Sequence, residues 1–152
     1  MVCFQLTQHG TVFALDTRNT HGTLQYGASS LSPRDSLIGW RWFNHKIPCD
    51  EAIWKRLVPI TSRCHLCFKN EETFDHLFLA SDFTQKIWKM ILEIFNHRWE
   101  GFSSADLLFS WWQRKKCVTP LPKLWQLVLV ITISAIWKSR NKSCFDGIKL
   151  TC

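Results

Sequence analysis

The sequence lacks a long hydrophobic run. Its most apolar stretch, Leu124–Trp137, covers fourteen residues and is interrupted by Gln126, Thr132 and Ser134. A membrane-spanning helix needs about 20 largely apolar residues, so we predict a buried core helix here and no membrane contact. A strand is the alternative, because residues 128–133 are rich in β-branched side chains. The first ten residues also lack the basic flank and apolar run of a signal peptide, and we expect an intracellular protein of the nucleus or cytoplasm, not a secreted one.

The motifs of several enzyme classes are also missing. There is no glycine-rich phosphate loop, no Gly-x-Ser-x-Gly nucleophile elbow and no His-Glu-x-x-His helix. The zinc-deaminase signature fails because no His-x-Glu precedes a Pro-Cys-x-x-Cys. These absences predict that the protein is not an enzyme. An open catalytic zinc with Glu71, Glu72 or Asp75 as base is the alternative.

Negative charge is scarce in the C-terminal third. From residue 110 to residue 152 there are eight lysines and arginines but only one acidic residue, Asp146, so this stretch alone matches the +7 net charge of the chain. Such a balance suits a polyanion such as nucleic acid; a solvated, solubilising face is the alternative. We predict salt-dependent, sequence-independent phosphate contacts. The residues predicted to make them are Arg114, Lys115, Lys116, Lys138, Arg140 and Lys142.

The seven cysteines form no even disulfide framework, which favours a reducing compartment and metal ligation. Cys64 and Cys67 are separated by two residues, His76 follows after eight more, and Ser81 after another four. Two cysteines on a tight turn followed by a histidine are the spacing of a zinc knuckle. The sequence therefore predicts a zinc site with a hydroxyl at its fourth position.

A serine cannot supply the missing thiolate. Zinc held by three protein ligands would keep a water or recruit Asp82, and we expect affinity to fall by roughly a thousandfold or more. The alternatives are that the two cysteines are ordinary buried thiols, that His76 is a packed histidine, and that Ser81 is only the N-cap of the next helix. A thioredoxin-like dithiol would need a strand before the first cysteine and a helix starting at it, and the sequence predicts neither.

Apolar residues recur mainly with the period of a helix. The strongest stripe predicts a helix from Asp82 to Trp99. Further helices are predicted over residues 103–113 and 121–141, and another ends before Pro48. A short one follows Pro48, with Asp50 as N-cap and an apolar face. The predicted face consists of Ile53, Trp54 and Leu57.

These elements define the predicted fold class as mainly α, a small helical domain built around a Cys-Cys-His(-Ser) zinc-knuckle-like loop. Residues 1–35 are predicted to be a poorly ordered, irregular arm, residues 36–100 the domain, and residues 101–152 a basic helical segment. The nine tryptophans and eleven phenylalanines are assigned mainly to the core, with base stacking as the alternative.

An ordered string of short matches between Trp40 and Phe145 resembles a known family. The matching residues are Phe43-Asn-His-Lys46-Ile47-Pro48-Cys-Asp50, Leu57, Arg63-Cys64-His-Leu-Cys67, Glu72-Thr73-Phe-Asp-His76-Leu77-Phe78, Trp88, Ile136-Trp137-Lys-Ser-Arg140-Asn141 and Phe145. They resemble the zinc-binding domain that follows the reverse transcriptase in non-LTR retrotransposon polyproteins of plant genomes, and the segment that trails it. The resemblance implies a Cys-x2-Cys-x8-His-x4-Cys ligand set that maps to Cys64, Cys67, His76 and position 81.

Two positions depart from that pattern. Ser81 replaces the last cysteine, and Cys49 stands where the family usually has a helix-capping threonine, a role that Asp50 would take over. The paired-aspartate motif of the polymerase is missing as well. The resemblance implies a non-catalytic module that engages RNA or DNA, here a degenerate fragment without its parent reverse transcriptase domain and with an unrelated arm in front. The alternative is a structural or protein-interaction remnant that binds neither metal nor nucleic acid.

Overall fold

The structure is a computed structural model that describes residues 31–115 and 122–147. Over these ranges the chain is helical and forms no strand, which confirms the predicted fold class. The elements are α1 Pro33–Phe43, α2 Asp50–Trp54, the π-helical turn His76–Ala80, α3 Asp82–Ile94, α4 Ala105–Arg114 and α5 Pro122–Asp146. The predicted irregular arm lies outside the described residues up to position 30, and α1 begins within its last part.

The longest helix, α5, decides the choice between helix and strand over residues 128–133 in favour of helix. Trp125, Leu129, Ile133 and Ile136 are all buried, and their spacing of three to four residues places them on one face of a helix. β-branched residues lower helix propensity only slightly, so burial of this face outweighs them. No described helix is long and apolar enough to cross a membrane.

Aromatic side chains fill the core, as predicted. The buried tryptophans of the described residues are Trp42, Trp88, Trp111, Trp112, Trp125 and Trp137. Trp112 of α4 and Trp125 of α5 stack with ring centroids 3.9 Å apart, and each indole N–H donates to the other residue's backbone carbonyl at 3.1 Å. Because each buried indole has both apolar contact and a hydrogen-bond partner, this pair joins the two helices firmly.

The C-terminal helix belongs to the same core as the helices before it. Buried residues from α1 to α5 form one continuous cluster, and α5 packs directly on α1. At their crossing, a Cβ built on Gly39 would lie 2.8 Å from Cγ1 of Val130, so only glycine allows this close approach. The predicted boundary at residue 100 therefore does not separate two cores.

Two of the predicted helices differ in detail. The N-cap of α2 is Cys49, which makes no side-chain cap bond, and Asp50 is the first helical residue. The predicted apolar face is largely exposed, since Trp54 is 65% and Leu57 93% accessible. Helix α3 ends at Ile94 rather than at Trp99, because Asn96 takes a left-handed backbone conformation with φ of 57° that terminates the helix.

A carboxylate holds α1 against α5. Asp35, in the first turn of α1, accepts hydrogen bonds from Ser32 at 2.6 Å, from Ser134 and from the Lys138 ammonium at 2.5 Å. Burial alone would raise the pKa of Asp35, but the hydrogen bonds from Lys138, Ser134 and Ser32 lower it to about 2. The carboxylate is therefore charged at neutral pH and stabilises the helix pair.

We expect Asp35→Asn to lower the free energy of unfolding by about 1–3 kcal/mol at neutral pH, the range for a hydrogen-bonded charge. Because the pKa of Asp35 in the folded protein lies below the usual aspartate value of 3.8, this stabilisation is complete above about pH 4 and is lost as the pH falls through the folded pKa. Urea denaturation at neutral and acidic pH measures both effects. Glu93→Gln, which changes an exposed acidic residue of α3, is the control; an equal loss in both variants would contradict the role of Asp35.

Candidate metal centre

The two cysteines of the knuckle spacing lie on a tight turn closed by backbone hydrogen bonds. The amide of Cys64 donates to the carbonyl of Asn70 at 2.7 Å, and the amide of Phe68 donates to the carbonyl of Cys64 at 2.9 Å. Cys64 is fully buried and Cys67 partly buried. The turn thus brings both sulfurs to one side of a short loop without help from a disulfide.

The π-helical turn begins with His76, and Ser81 is the first residue after the turn. Its wide geometry is visible in the Ser81 amide, which donates to the carbonyl of His76 at 2.8 Å across five residues. Two buried side chains of α3, Thr84 and Trp88, donate to carbonyls of the turn at 2.8 Å each. Since buried carbonyls need such partners, these bonds fix the turn, and with it His76, on the body of α3.

The structure brings three of the predicted ligands together. The sulfurs of Cys64 and Cys67 and a ring nitrogen of His76 all lie within 4.8 Å of one another, and Cys67 Sγ is 3.2 Å from His76 Nε2. Ligand atoms around one zinc ion, with bonds of about 2.0–2.3 Å, are roughly 3.5 Å apart. Two thiols and an imidazole in this arrangement fit zinc with small adjustments of the side chains. That they bind it stays a prediction.

Burial sets the protonation states of the cluster. It raises the pKa of the Cys64 thiol to about 11, and it lowers the pKa of His76. A neutral imidazole is the form that ligates a metal, whereas a thiol has to lose its proton first. His76 is therefore ready to bind at neutral pH, while binding at Cys64 releases a proton.

Position 81, predicted as the fourth ligand, carries a buried hydroxyl without a partner among the described residues. Ser81 is 0% exposed, and its Oγ has no hydrogen-bond partner among the residues that the structure describes. Ser81 holds the N-cap position of α3 but makes no side-chain cap bond. The position predicted as the fourth ligand therefore carries a buried hydroxyl that neither caps the helix nor bonds another described residue.

The predicted substitute ligand is engaged elsewhere. Asp82 accepts a hydrogen bond from the Lys69 ammonium at 2.7 Å, and 64% of its side chain is exposed. Hydrogen bonding to Lys69 also lowers the pKa of Asp82. Asp82 does not belong to the Cys64–Cys67–His76 cluster, so its side chain would have to move to reach a metal.

Arg140, predicted to contact phosphates, lies inside the fold, and that prediction is wrong. Its Nε is 3.0 Å from each carboxylate oxygen of Glu72, and its Nη2 is 2.9 Å from Asp50 Oδ1. The side chains of Arg140, Asp50 and Glu72 are only 6%, 9% and 0% exposed. A guanidinium enclosed by two carboxylates is not available to nucleic acid.

The same ion cluster ties the cysteine loop to two helices. The carboxylate and carbonyl of Glu72 accept the amides of Asp50 and Glu51 at 3.3 and 3.2 Å. Glu72 thereby caps α2, the role that sequence reasoning gave to Asp50. One turn beyond Arg140, Ser143 donates to the carbonyl of His65, between the two cysteines, at 2.6 Å. Helix α5 thus holds the turn that carries the candidate ligands.

Two of the three acidic residues considered as catalytic bases have structural partners. Glu72 binds Arg140, and Asp75 accepts the amide of Ala105 at the start of α4 at 2.9 Å. Glu71 is exposed, and it is not among the residues clustered with the cysteines. The arrangement gives no support to an open catalytic zinc with one of these bases.

The other predicted cations differ in their surroundings. Arg114 and Lys142 are exposed. Lys115 lies over the Trp111 ring at 5.3 Å, and Lys138 is bound to Asp35 but retains 56% side-chain exposure. Lys116 lies outside the described residues.

The fold and the cluster define a small helical domain with a Cys-Cys-His metal frame. Comparison with sequence families finds that residues 14–88 match the family described as zinc-binding in reverse transcriptase, zf-RVT. This match, over 75 of the 152 residues, confirms the resemblance that the sequence indicated. No curated protein and no solved structure matches. The matched range contains the whole Cys64–Ser81 frame, and it begins within the segment that the sequence analysis assigned to the arm.

We expect Arg140→Met to lower the free energy of unfolding by about 3–5 kcal/mol, because it leaves two buried carboxylates without their cation. Lys142→Met, on the same helix but exposed, should change it by less than about 0.5 kcal/mol. Urea denaturation followed by tryptophan fluorescence compares the two. Similar stability of both variants would show that the ion cluster does not hold the fold.

Proposed function

We propose that the chain is a non-catalytic zinc-binding module that assists nucleic-acid binding, with a metal site weakened by Ser81. The observation that carries this proposal is the convergence of Cys64, Cys67 and His76 within 4.8 Å, inside a range that matches reverse transcriptase zinc-binding domains. The missing fourth thiolate and the orphaned Ser81 hydroxyl support a degenerate copy of such a site. We further propose an origin in a plant retrotransposon and an intracellular location.

Ser81→Cys should restore tight metal binding. The added thiolate would complete a Cys3His set, and we expect zinc affinity to rise by roughly a thousandfold or more. Zinc stoichiometry after dialysis against a moderate chelator should be well below one ion per chain in the unaltered protein and close to one in the variant. Ser81→Ala serves as control and should behave like the unaltered protein. Tight stoichiometric binding by the unaltered chain would contradict the weakened site.

The proposed nucleic-acid surface consists of the exposed cations of the C-terminal third. Arg114 and Lys142 are exposed and Lys115 is partly exposed, whereas Arg140 is excluded by its burial. Lys138 would have to share its ammonium between Asp35 and a phosphate. Lys116 remains in the proposed set on sequence grounds alone.

Binding to single-stranded RNA should weaken steeply as salt rises, because phosphate contacts release counterions. Replacing Lys142 by Gln should weaken binding uniformly across sequences and reduce the slope of log K against log salt by about one. Lys89→Gln, an exposed lysine of α3 outside this surface, is the control. Affinity that is independent of salt would refute the electrostatic account.

One observation favours the alternative of a protein-interaction remnant. Trp54, Leu57 and Val58 are 65%, 93% and 47% exposed and follow one another closely at the end of α2. An exposed apolar group of this kind fits a contact with an absent neighbouring domain. Under this alternative the chain binds no nucleic acid, and Trp54→Gln raises its solubility.

A further inference from the structure

The turn that carries the cysteines also presents an aromatic ring beside a guanidinium. Phe68 follows Cys67 and is partly exposed. The guanidinium carbon of Arg63 lies 5.6 Å from the centre of the Phe68 ring, within the distance of a cation–π contact. The imidazole of His65 meets the same ring edge-on at 6.5 Å. Three side chains thus form one surface next to the metal frame.

The Phe68 ring is not needed to close this turn. Its backbone has φ of 57°, the left-handed conformation that glycine adopts without strain and that a bulky residue disfavours. The turn is closed by backbone groups instead, since the Phe68 amide donates to the carbonyl of Cys64 at 2.9 Å. A glycine would serve the turn better, so the ring can be removed without weakening it.

The segment that carries the ring is basic, although acidic residues border it on both sides and Lys55 is paired with Glu51. Residues 52–70 include no acidic residue. Their cations are Lys55, Arg56, Arg63 and Lys69. Lys69 is paired with Asp82, whereas Arg63 is exposed and forms no ion pair with any described residue. A planar guanidinium on an aromatic ring can stack on a base and donate to a phosphate.

We propose that Arg63 and Phe68 form a stacking platform for an unpaired base of a single-stranded nucleic acid. This inference rests on the proposed nucleic-acid function and names the form of nucleic acid that the module prefers. Bases of a duplex are stacked on each other and cannot reach such a platform, whereas those of a single strand can. The C-terminal cations would then supply affinity for any polyanion, and the platform would supply the preference for unpaired strands.

The test compares Phe68→Gly with the unaltered chain on a labelled oligouridylate and on an RNA duplex of the same length. Because loss of one stacked base weakens binding substantially, we expect affinity for the single strand to fall about tenfold, with duplex affinity unchanged. Leu57→Gly is the matched control. Leu57 also has a positive φ, 62°, and is 93% exposed, and its replacement should change neither affinity.

Four results would overturn the platform. Equal single-strand affinity of Phe68→Gly and the unaltered chain would do so directly. An equal loss on single strand and duplex, or a changed zinc content of the variant, would assign the effect to the turn rather than to stacking. If the unaltered chain bound neither probe, the proposed nucleic-acid function would fail and the platform with it.

Discussion

The buried ion cluster of Arg140, Glu72 and Asp50 is the constraint on which the rest of the structure depends. It joins the last helix, the loop after the cysteines and the start of α2, segments that lie 68 and 90 positions from Arg140 along the chain. A buried guanidinium is costly unless it is fully paired and hydrogen-bonded, and this one is. Moving any of the three segments would leave an uncompensated charge, so the cluster fixes their relative positions. The cysteine turn is also bound to α5, because Ser143 donates a hydrogen bond to the carbonyl of His65. Its position is therefore fixed together with theirs.

This arrangement separates folding from metal binding. Small zinc fingers are unfolded without their ion because they have little else to bury. Here an aromatic core runs through all the helices, and protein contacts position the ligands: Arg140 and Ser143 hold the cysteine turn, while Thr84 and Trp88 hold the turn of His76. A serine at position 81 can therefore weaken the metal site without destroying the fold. If the site is weakened as proposed, the frame would persist without its ion.

Sequence patterns predicted the local features well. The period of apolar residues indicated α3, α4 and α5, and the spacing of the two cysteines and the histidine indicated the cluster. The family was indicated by the ordered string of matches between Trp40 and Phe145. The sequence patterns did not reveal features that depend on contacts between residues remote in sequence. Arg140 looked like a surface cation because its carboxylate partners are remote in sequence, and Asp50 looked like a helix cap because its use as an ion-pair partner has no local signature. Trp54 and Leu57 have the spacing of one helical face. However, α2 ends at Trp54, and both side chains are exposed rather than in the core. Phe68 gave no sequence signal either, because its importance lies in a backbone angle and a neighbouring guanidinium.

The most direct measurement is amide hydrogen exchange of the chain with and without a zinc chelator. The central claim is that the ligand frame is held by protein contacts, above all by the Arg140 cluster. It predicts that the amides of Cys64 and Phe68, which close the cysteine turn, and that of Ser81 stay protected when metal is removed. Exchange of these amides at the rate of an unfolded chain after chelation, with the helical core still protected, would show that the metal and not the ion cluster holds the frame.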